Sequence, residues 1–385
     1  MRVGIIEVCE PNHYTAVSAL AQTYLVDPLN EVIIFTNGTI KPLLAELSGR
    51  VKFIIKPEEQ SVGEFLTAVS KSSLDRIHIN TISKYYKEFA YVNWESSVYF
   101  TVHNIDLWYD NSFVNRTKTL ISDYRSRPGN LKLPLILFIK DFWRQYFRDR
   151  FIKRISKGNY KIIVYSQSQK RHLEKYIESG KILVFPFCLH TDFKDQSAGN
   201  KKLRFCIPGS VSNQRRNYTG LFDILEKQLF EIRQDIIIDL LGYIPADNRF
   251  LLEKIQSLNS KGFEIIYNEG FIDIAGFDDR LSRCDIILGN LKVQMNVFRK
   301  YGETKETGVI FNIIKSGKPG IMPYAYPVDE ELTDICLFFK DYDDLADLMK
   351  RLSKDRNNLA AIKLKAVDVV NHYRPESLYH LLKPE

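Results

Sequence analysis

The chain has 385 residues, of which 45% are hydrophobic and 26% are charged. This length exceeds what one hydrophobic core usually holds and predicts two domains, and the composition excludes a disordered or fibrous protein. The net charge of +7 is concentrated in residues 116–157, which carry 12 Lys and Arg residues against three Asp.

The N-terminal residues and the cysteines predict where in the cell the protein is located. The apolar run that follows Arg2 is too short for the core of a signal peptide. The five cysteines are scattered, and they form no C-x-x-C pair and no zinc-like spacing with histidines. We therefore expect a cytoplasmic protein with reduced cysteines and no bound metal.

Short apolar runs alternate with helical stretches along the chain, which is typical of parallel sheets covered by helices. The polar segment 194–202 has the composition of a linker and separates two such series. We predict an α/β protein with two Rossmann-like domains, residues 1–193 and 203–365, and a C-terminal helix, 366–385, that crosses back to the first domain. The predicted strands are Val3–Val8, Val32–Thr36, Val51–Ile55, Arg76–Ile79, Ser97–Val102, Ile162–Ser166 and Ile182–Phe185, then Leu203–Ile207, Ile236–Leu241, Phe263–Tyr267, Asp285–Leu288 and Gly320–Met322.

One segment of the second half predicts an anion site. A strand ends at Gly209 and Ser210, and a helix begins after Arg215 and Arg216. A helix start offers free backbone N–H groups and the positive end of the helix dipole, and the arginines add full charges. The alternative is that these arginines are merely solvated.

A second helix start follows at residues 301–319. Thr307 is a candidate N-cap, Gly308 opens an apolar helix, and Lys305 and Glu306 precede it. A lysine beside a helix start suits a diphosphate. Capping of a core helix, with a Gly-Lys-Pro stop signal, explains the glycine and proline but not the charged residues before the helix.

In this order the two segments resemble the retaining nucleotide-sugar glycosyltransferases of the GT-B fold, especially glycosyltransferase family 4. The resemblance implies a cleft between two Rossmann-like domains, a nucleotide-diphosphate-sugar as donor substrate and no cofactor. The segment 269–272 is similar to the one that contacts the nucleotide base. The resemblance implies donor-binding roles for Gly209, Ser210, Arg215, Arg216, Gly270, Phe271, Ile272, Lys305, Thr307, Gly308 and Asn312.

The resemblance is incomplete at the catalytic end. The family carries two glutamates eight positions apart, and here these positions hold Thr304 and Asn312. Asn312 can still hydrogen-bond the ribose, and Glu306 is predicted to act toward the sugar as a catalytic residue. In the first half, Tyr99–Asn104 is similar to the family's strand that ends in a histidine facing the sugar. We therefore predict a catalytic His103, against the alternative of a structural histidine.

Residues 133–157 form a basic stretch with aromatic residues at helical spacing, among them Phe142, Trp143 and Tyr146. Such a helix suits contact with an anionic membrane surface. We favour the alternative that the helix packs in the core and has a solvated basic face. The apolar run 133–139 is too short to span a membrane.

The predicted function is a metal-independent transfer of a sugar from a nucleotide diphosphate to a hydroxyl acceptor, a glycan or lipid-linked molecule, in bacterial surface polysaccharide or glycoconjugate assembly. Retention of configuration is implied by the resemblance alone. The alternatives are an inactive GT-B-like protein that binds a glycan or partner, and a nucleotide-sugar epimerase. No nucleic acid is expected as a partner, because the basic region lacks a recognition module. Asp341 is expected to cap a helix rather than to bind a metal.

Overall fold

The computed structural model describes residues 1–110, 117, 132–191, 193–296 and 298–383. A parallel sheet of seven strands lies in the first half, in the order β3-β2-β1-β4-β5-β6-β7. The order reverses between β1 and β4, so their carboxyl ends open a crevice of the kind that binds ligands. The strands are β1 (Arg2–Ile6), β2 (Glu31–Thr36), β3 (Lys52–Ile55), β4 (Arg76–Ile79), β5 (Ser97–Thr101), β6 (Tyr160–Val164) and β7 (Ile182–Val184).

A second parallel sheet of six strands follows, in the order β10-β9-β8-β11-β12-β13. Its order reverses between β8 and β11. Two parallel sheets in succession confirm the predicted α/β class. The strands are β8 (Leu203–Pro208), β9 (Ile236–Tyr243), β10 (Ile265–Asn268), β11 (Ile286–Leu288), β12 (Gly320–Pro323) and β13 (Cys336–Phe339).

Helices connect the strands of both sheets, together with short 3-10 turns. In the first half the helices are α1 (Tyr14–Tyr24), α2 (Val62–Ser70), α3 (Tyr86–Tyr91), α4 (Ile105–Trp108), α5 (Lys132–Ile155) and α6 (Gln167–Leu173). In the second they are α7 (Tyr218–Lys227), α8 (Arg249–Ser260), α9 (Ile274–Ser282), α10 (Gly308–Ser316), α11 (Glu330–Thr333), α12 (Tyr342–Lys354), α13 (Arg356–Val370) and α14 (Pro375–Leu378).

The helix ends follow the predicted signals. Thr307 Oγ1 accepts a hydrogen bond from Val309 N at the start of α10. The helix ends at Gly317, whose φ of +61° lies in the left-handed region that favours glycine. Asp341 accepts from Asp344 N and caps α12, which confirms the expected cap. These local signals fix where the loops of the site begin.

All predicted strands are present, and their ends lie within two residues of the predicted ends. Strand β13 was not predicted. The expectation of five reduced cysteines is wrong for one pair, because Cys206 of β8 and Cys284 form a disulfide with Cα atoms 5.8 Å apart. These residues are 78 positions apart in sequence and become neighbours only when β8 pairs with β11.

The C-terminal segment packs on the first sheet's side of the molecule. Leu378 and Leu382 are buried in the cluster formed by β1 and α1, and the Leu382 carbonyl accepts a hydrogen bond from the buried Arg76. The expected C-terminal helix that crosses back to the first domain stays a prediction. The domain boundaries themselves stay a prediction.

Candidate active site between the two sheets

The loop before α10 contacts the carboxyl end of the first sheet, and we call the space around this contact the cleft. Ile105 N donates to the Thr304 carbonyl oxygen at 2.7 Å, and Asn104 pairs with Lys305 as an isolated antiparallel bridge. The side chains of Arg299 and Asp106 add an ion pair of 2.8 Å. His103 and Lys305, two predicted residues 202 positions apart, are brought together by these contacts. The Lys305 ammonium is close enough to lower the pKa of His103.

The His103 imidazole is held by the protein at both ring nitrogens. Nε2 lies 2.9 Å from the Asn80 carbonyl oxygen, and Nδ1 lies 2.6 Å from the Tyr165 hydroxyl. A carbonyl only accepts, so Nε2 carries the hydrogen and Nδ1 accepts from Tyr165. Burial lowers the pKa of His103 well below its usual value, so the ring is neutral. Both ring nitrogens of His103 therefore have protein partners in this structure.

Glu7 supports two loops at the carboxyl end of the first sheet, the loop between β1 and α1 and the loop that follows β4. Its fully buried carboxylate accepts from the backbone N–H of Cys9 and Glu10 and from the side chains of Asn80 and Thr81. Burial raises the pKa of Glu7 to about 7, which these hydrogen bonds partly oppose. Glu7 thus fixes the β1–α1 loop and the carbonyl that holds His103.

His13 was not predicted as a site residue, yet it lies face to face with His103. The ring centroids are 4.0 Å apart and the planes differ by 8°. Phe187 packs edge-on against both rings. His13 lies in the turn between β1 and α1, at the carboxyl end of a strand. This position is the feature of the sequence that could have marked it as a site residue.

Three cations of the second half lie near one another, and one of them, Lys305, also acts on both imidazoles. Burial lowers the pKa of Lys305 to about 8, and the like charges of Arg299 and Arg215 lower it further, while Asp106 opposes them. Among the described residues, only Arg299 of the three has an ion-pair partner, Asp106. Arg299 and Asp106 were not predicted. An excess of positive charge at a partly buried place is suited to a polyanion.

The two adjacent arginines that were predicted to bind the donor lie in different environments. Arg215 is exposed, whereas Arg216 is buried and donates to the carbonyl oxygens of Pro208 and Ser210. Gly209 adopts a φ of +92°, and a Cβ there would lie 2.6 Å from Arg216 Nη2. Arg216 therefore shapes the glycine turn from inside, and Arg215 supplies the accessible charge.

Glu306 is buried below the cleft. Its Oε1 accepts hydrogen bonds from Thr307 N at 2.8 Å and from the Tyr326 hydroxyl. It lines a small pocket, with a volume of about 20 Å³, that Tyr165 and Ser166 also line. Burial raises the pKa of Glu306 to about 7.

The two positions that resemble the glutamate pair are bonded locally. Thr304 is buried, and its hydroxyl accepts from Lys300 N at 3.0 Å. Asn312 donates its side-chain amide to the Gly308 carbonyl oxygen within α10. Gly308 itself is exposed, with open space where a Cβ would stand.

The predicted base-contact segment is open to solvent. Phe271 is 86% exposed, and its ring lies 5.8 Å from that of Tyr243, a residue that was not predicted. Gly270 is exposed and Ile272 partly exposed on the same loop. Two neighbouring exposed aromatic rings at the carboxyl ends of β9 and β10 offer a surface on which a base can stack.

Helix α5 is buried at one end and exposed at the other. Phe151 and Ile155 are buried in the core of the first half, whereas Trp143 is 63% exposed, and Phe142 and Tyr146 are exposed as well. Within the described residues, no helix is both long and apolar enough to cross a membrane. Residues 116 and 118–131 of the basic region lie outside the described residues.

No protein-family model and no curated protein sequence matches the chain. Solved structures do match over its whole length. HepE of Anabaena in complex with UDP has a TM-score of 0.65 at 13% identity and covers 99% of this chain and 98% of its own. Sucrose-phosphate synthase of Thermosynechococcus elongatus has a TM-score of 0.59 at 15% identity, covering 99% and 97%. A putative UDP-N-acetylglucosamine 2-epimerase of Listeria monocytogenes has 0.56 at 10%, covering 98% and 93%.

These likenesses show the fold. The chain has the GT-B arrangement, in which two parallel α/β sheets face each other across a cleft, as the resemblance implied. The agreement extends over nearly the full length of both chains, so no large part of the fold is left without a counterpart.

Proposed function

We propose that the protein is a glycosyltransferase that moves a sugar from a nucleotide diphosphate to a hydroxyl acceptor. The observation that carries the proposal is the cluster of Arg215, Arg299 and Lys305 at the cleft, which among the described residues has one acidic partner, Asp106. A nucleoside diphosphate supplies the negative charge that this cluster lacks. HepE, whose fold the chain shares, was solved with UDP, which makes UDP-sugars the first donors to test.

The cations also suit the chemistry of the transfer. The acceptor oxygen bonds to the sugar's anomeric carbon and loses its proton, and the diphosphate leaves with the electron pair of the broken bond. Fixed positive charge beside the leaving diphosphate stabilises the charge that develops there. This supports a reaction that needs no metal ion, and full activity in EDTA is the expected result. The exposed rings of Tyr243 and Phe271 are proposed to contact the base.

The catalytic roles of His103 and Glu306 stay predictions. Their hydrogen bonds to Tyr165 and Tyr326 support roles in positioning the cleft. Retention of configuration also stays a prediction, because Thr304 and Asn312 stand where the family has glutamates. The anomeric coupling constant in the NMR spectrum of the product decides it.

A panel of nucleotide-sugars, starting with UDP-glucose, tests the proposal by thermal shift. A ligand at about 100 times its Kd stabilises the folded state by about 2.7 kcal/mol. Arg215→Ala should reduce the shift strongly, while Lys170→Ala, at a lysine outside this cluster, should keep it. A panel without any stabilising nucleotide-sugar contradicts the proposal.

A second candidate is a GT-B protein that binds a glycan or partner without transfer, which the loss of both family glutamates favours. Calorimetric titration with nucleoside diphosphates separates the two, because the inactive protein should bind none of them. The epimerase alternative predicts turnover of donor in the absence of any acceptor. We propose in addition that the protein acts in the cytoplasm, in the assembly of surface polysaccharide.

We also propose peripheral membrane contact through α5. Its exposed Phe142 and Trp143 lie on a helix rich in Lys and Arg, which suits an anionic bilayer surface. Vesicles of phosphatidylglycerol should sediment the protein, and vesicles of phosphatidylcholine should not. Trp143→Ser should weaken sedimentation, whereas Leu364→Ser, at an equally exposed residue of α13, should leave it unchanged. Equal sedimentation by both vesicles contradicts the contact.

A further inference from the structure

His13 differs from its stacked partner in how its ring nitrogens are used. Both nitrogens of His103 are taken by Asn80 and Tyr165. Among the described residues, neither nitrogen of His13 has a hydrogen-bond partner, and Nδ1 is fully buried. Nε2 is not closed off in this way, so it is the ring nitrogen that a ligand can reach.

The position of His13 is fixed by several independent contacts. Its ring stacks on His103 and meets the edge of Phe187. Its backbone precedes α1, and its carbonyl accepts from the side chain of Asn80 at 3.3 Å. Glu7 holds both Asn80 and the loop that leads to His13. The imidazole is therefore held in place before any ligand arrives.

His13 also lies beside the proposed diphosphate site. Burial lowers the pKa of His13 to about 4, Glu10 opposes this, and the Lys305 ammonium lowers it further. The ring is therefore neutral near pH 7 and has one nitrogen with a free lone pair. A neutral acceptor nitrogen suits a hydroxylated ligand rather than a second anion.

We propose that His13, and not His103, is the imidazole that binds substrate, by accepting a hydrogen bond from a sugar hydroxyl in the cleft. The inference rests on the proposed function, since it places this hydroxyl next to the diphosphate held by Lys305. The hydroxyl belongs either to the transferred sugar of the donor or to a sugar acceptor. His103 then serves as the stacking platform that fixes the plane of the His13 ring.

The test compares binding of UDP, of UDP-glucose, and of p-nitrophenyl glucoside to the UDP-loaded protein. His13→Phe keeps a ring on His103 and removes both nitrogens. If the donor sugar is bound, the variant loses about two- to tenfold in affinity for UDP-glucose, as expected for one hydrogen bond, and none for UDP. If the acceptor is bound, only the glucoside affinity falls by this factor. His13→Gln should restore part of the loss.

His372→Phe, at an exposed histidine outside the cleft, is the matched control and should bind like the wild type. His13→Leu provides a second nitrogen-free variant if the phenylalanine variant melts early. Unchanged affinity for both sugar probes in folded variants overturns the role of His13, as does an equal loss for UDP and UDP-glucose. Wild-type protein that binds neither UDP nor UDP-glucose instead counts against the proposed function.

Discussion

Arg299 Nη2 lies 2.8 Å from Asp106 Oδ2, and Arg299 Nε donates to the same oxygen at 2.9 Å. Asp106 belongs to the short helix that follows β5, and Arg299 to the loop before α10. The carboxylate is nearly fully buried, so the pair is shielded from solvent on the acidic side. The pair joins the loop before α10 to the helix after β5, close to Lys305.

Asp106→Asn should destabilise the protein, because it leaves the Arg299 guanidinium without its charged partner. We expect the free energy of unfolding to fall by about 1–3 kcal/mol, measured by urea denaturation. The control Asp279→Asn removes an exposed i,i+4 pair with Arg283 and should cost about 0.5 kcal/mol or less. Equal stability of the two variants contradicts a structural role for the Asp106–Arg299 pair.

Lys305 should make nucleotide binding depend on pH. Its pKa is lowered to about 8, so the ammonium that attracts a diphosphate is lost as the pH rises through this value. UDP affinity should therefore decline above about pH 8, measured by calorimetry from pH 7 upward, where the terminal phosphate, with a pKa of about 6, is mostly ionised. Lys305→Arg stays charged and should lose the decline. A decline that persists in the arginine variant assigns the titration to another group.

The fold can be predicted from the sequence because the signals for strands and the signals for helix ends are both local. Apolar runs mark the strands, and Thr307 with Gly317 marks the two ends of α10 within the helix itself. Strand β13 carries the same kind of apolar run, Cys336–Phe339, but it is short and follows a helix of only four residues, so no clear alternation marked it.

The site is predicted less completely, because its contacts join residues far apart in sequence. Arg215 and Lys305 carry visible motifs, and the structure does bring them close to each other. Nothing in the residues around Asp106 reveals that it faces Arg299, 193 positions away. The burial of Arg216 could not be predicted either, because two adjacent arginines have the same sequence signal. Only the folded turn at Gly209 shows that one of them is buried and the other exposed.

The two adjacent arginines should respond differently to truncation. Arg215 is exposed and has no ion pair among the described residues, so Arg215→Ala should leave the melting temperature unchanged and weaken UDP binding by about 10- to 100-fold. Arg216→Ala removes buried hydrogen bonds to the Pro208 and Ser210 carbonyls and should cost about 1–3 kcal/mol of stability. Paired melting and calorimetry check both. Loss of binding without loss of stability in Arg216→Ala is the result that contradicts its inward role.

Glu306 should make folding stability depend on pH in a direction opposite to that of a salt-bridged carboxylate. Burial raises its pKa from 4.5 to about 7, so the folded state favours the protonated form. Its contribution to stability is then fully present below pH 4.5 and is lost as the pH rises through about 7.

Glu306→Gln removes this titration while keeping a hydrogen-bonding side chain of the same shape. The stability of the wild type relative to the variant should fall by up to about 3 kcal/mol between pH 4.5 and pH 7, measured by urea denaturation at each pH. Glu330→Gln, at an exposed residue, corrects for the loss of one carboxylate from the net charge. A wild-type advantage that grows with pH means that the Tyr326 hydroxyl and Thr307 N–H stabilise the ionised carboxylate more than burial penalises it.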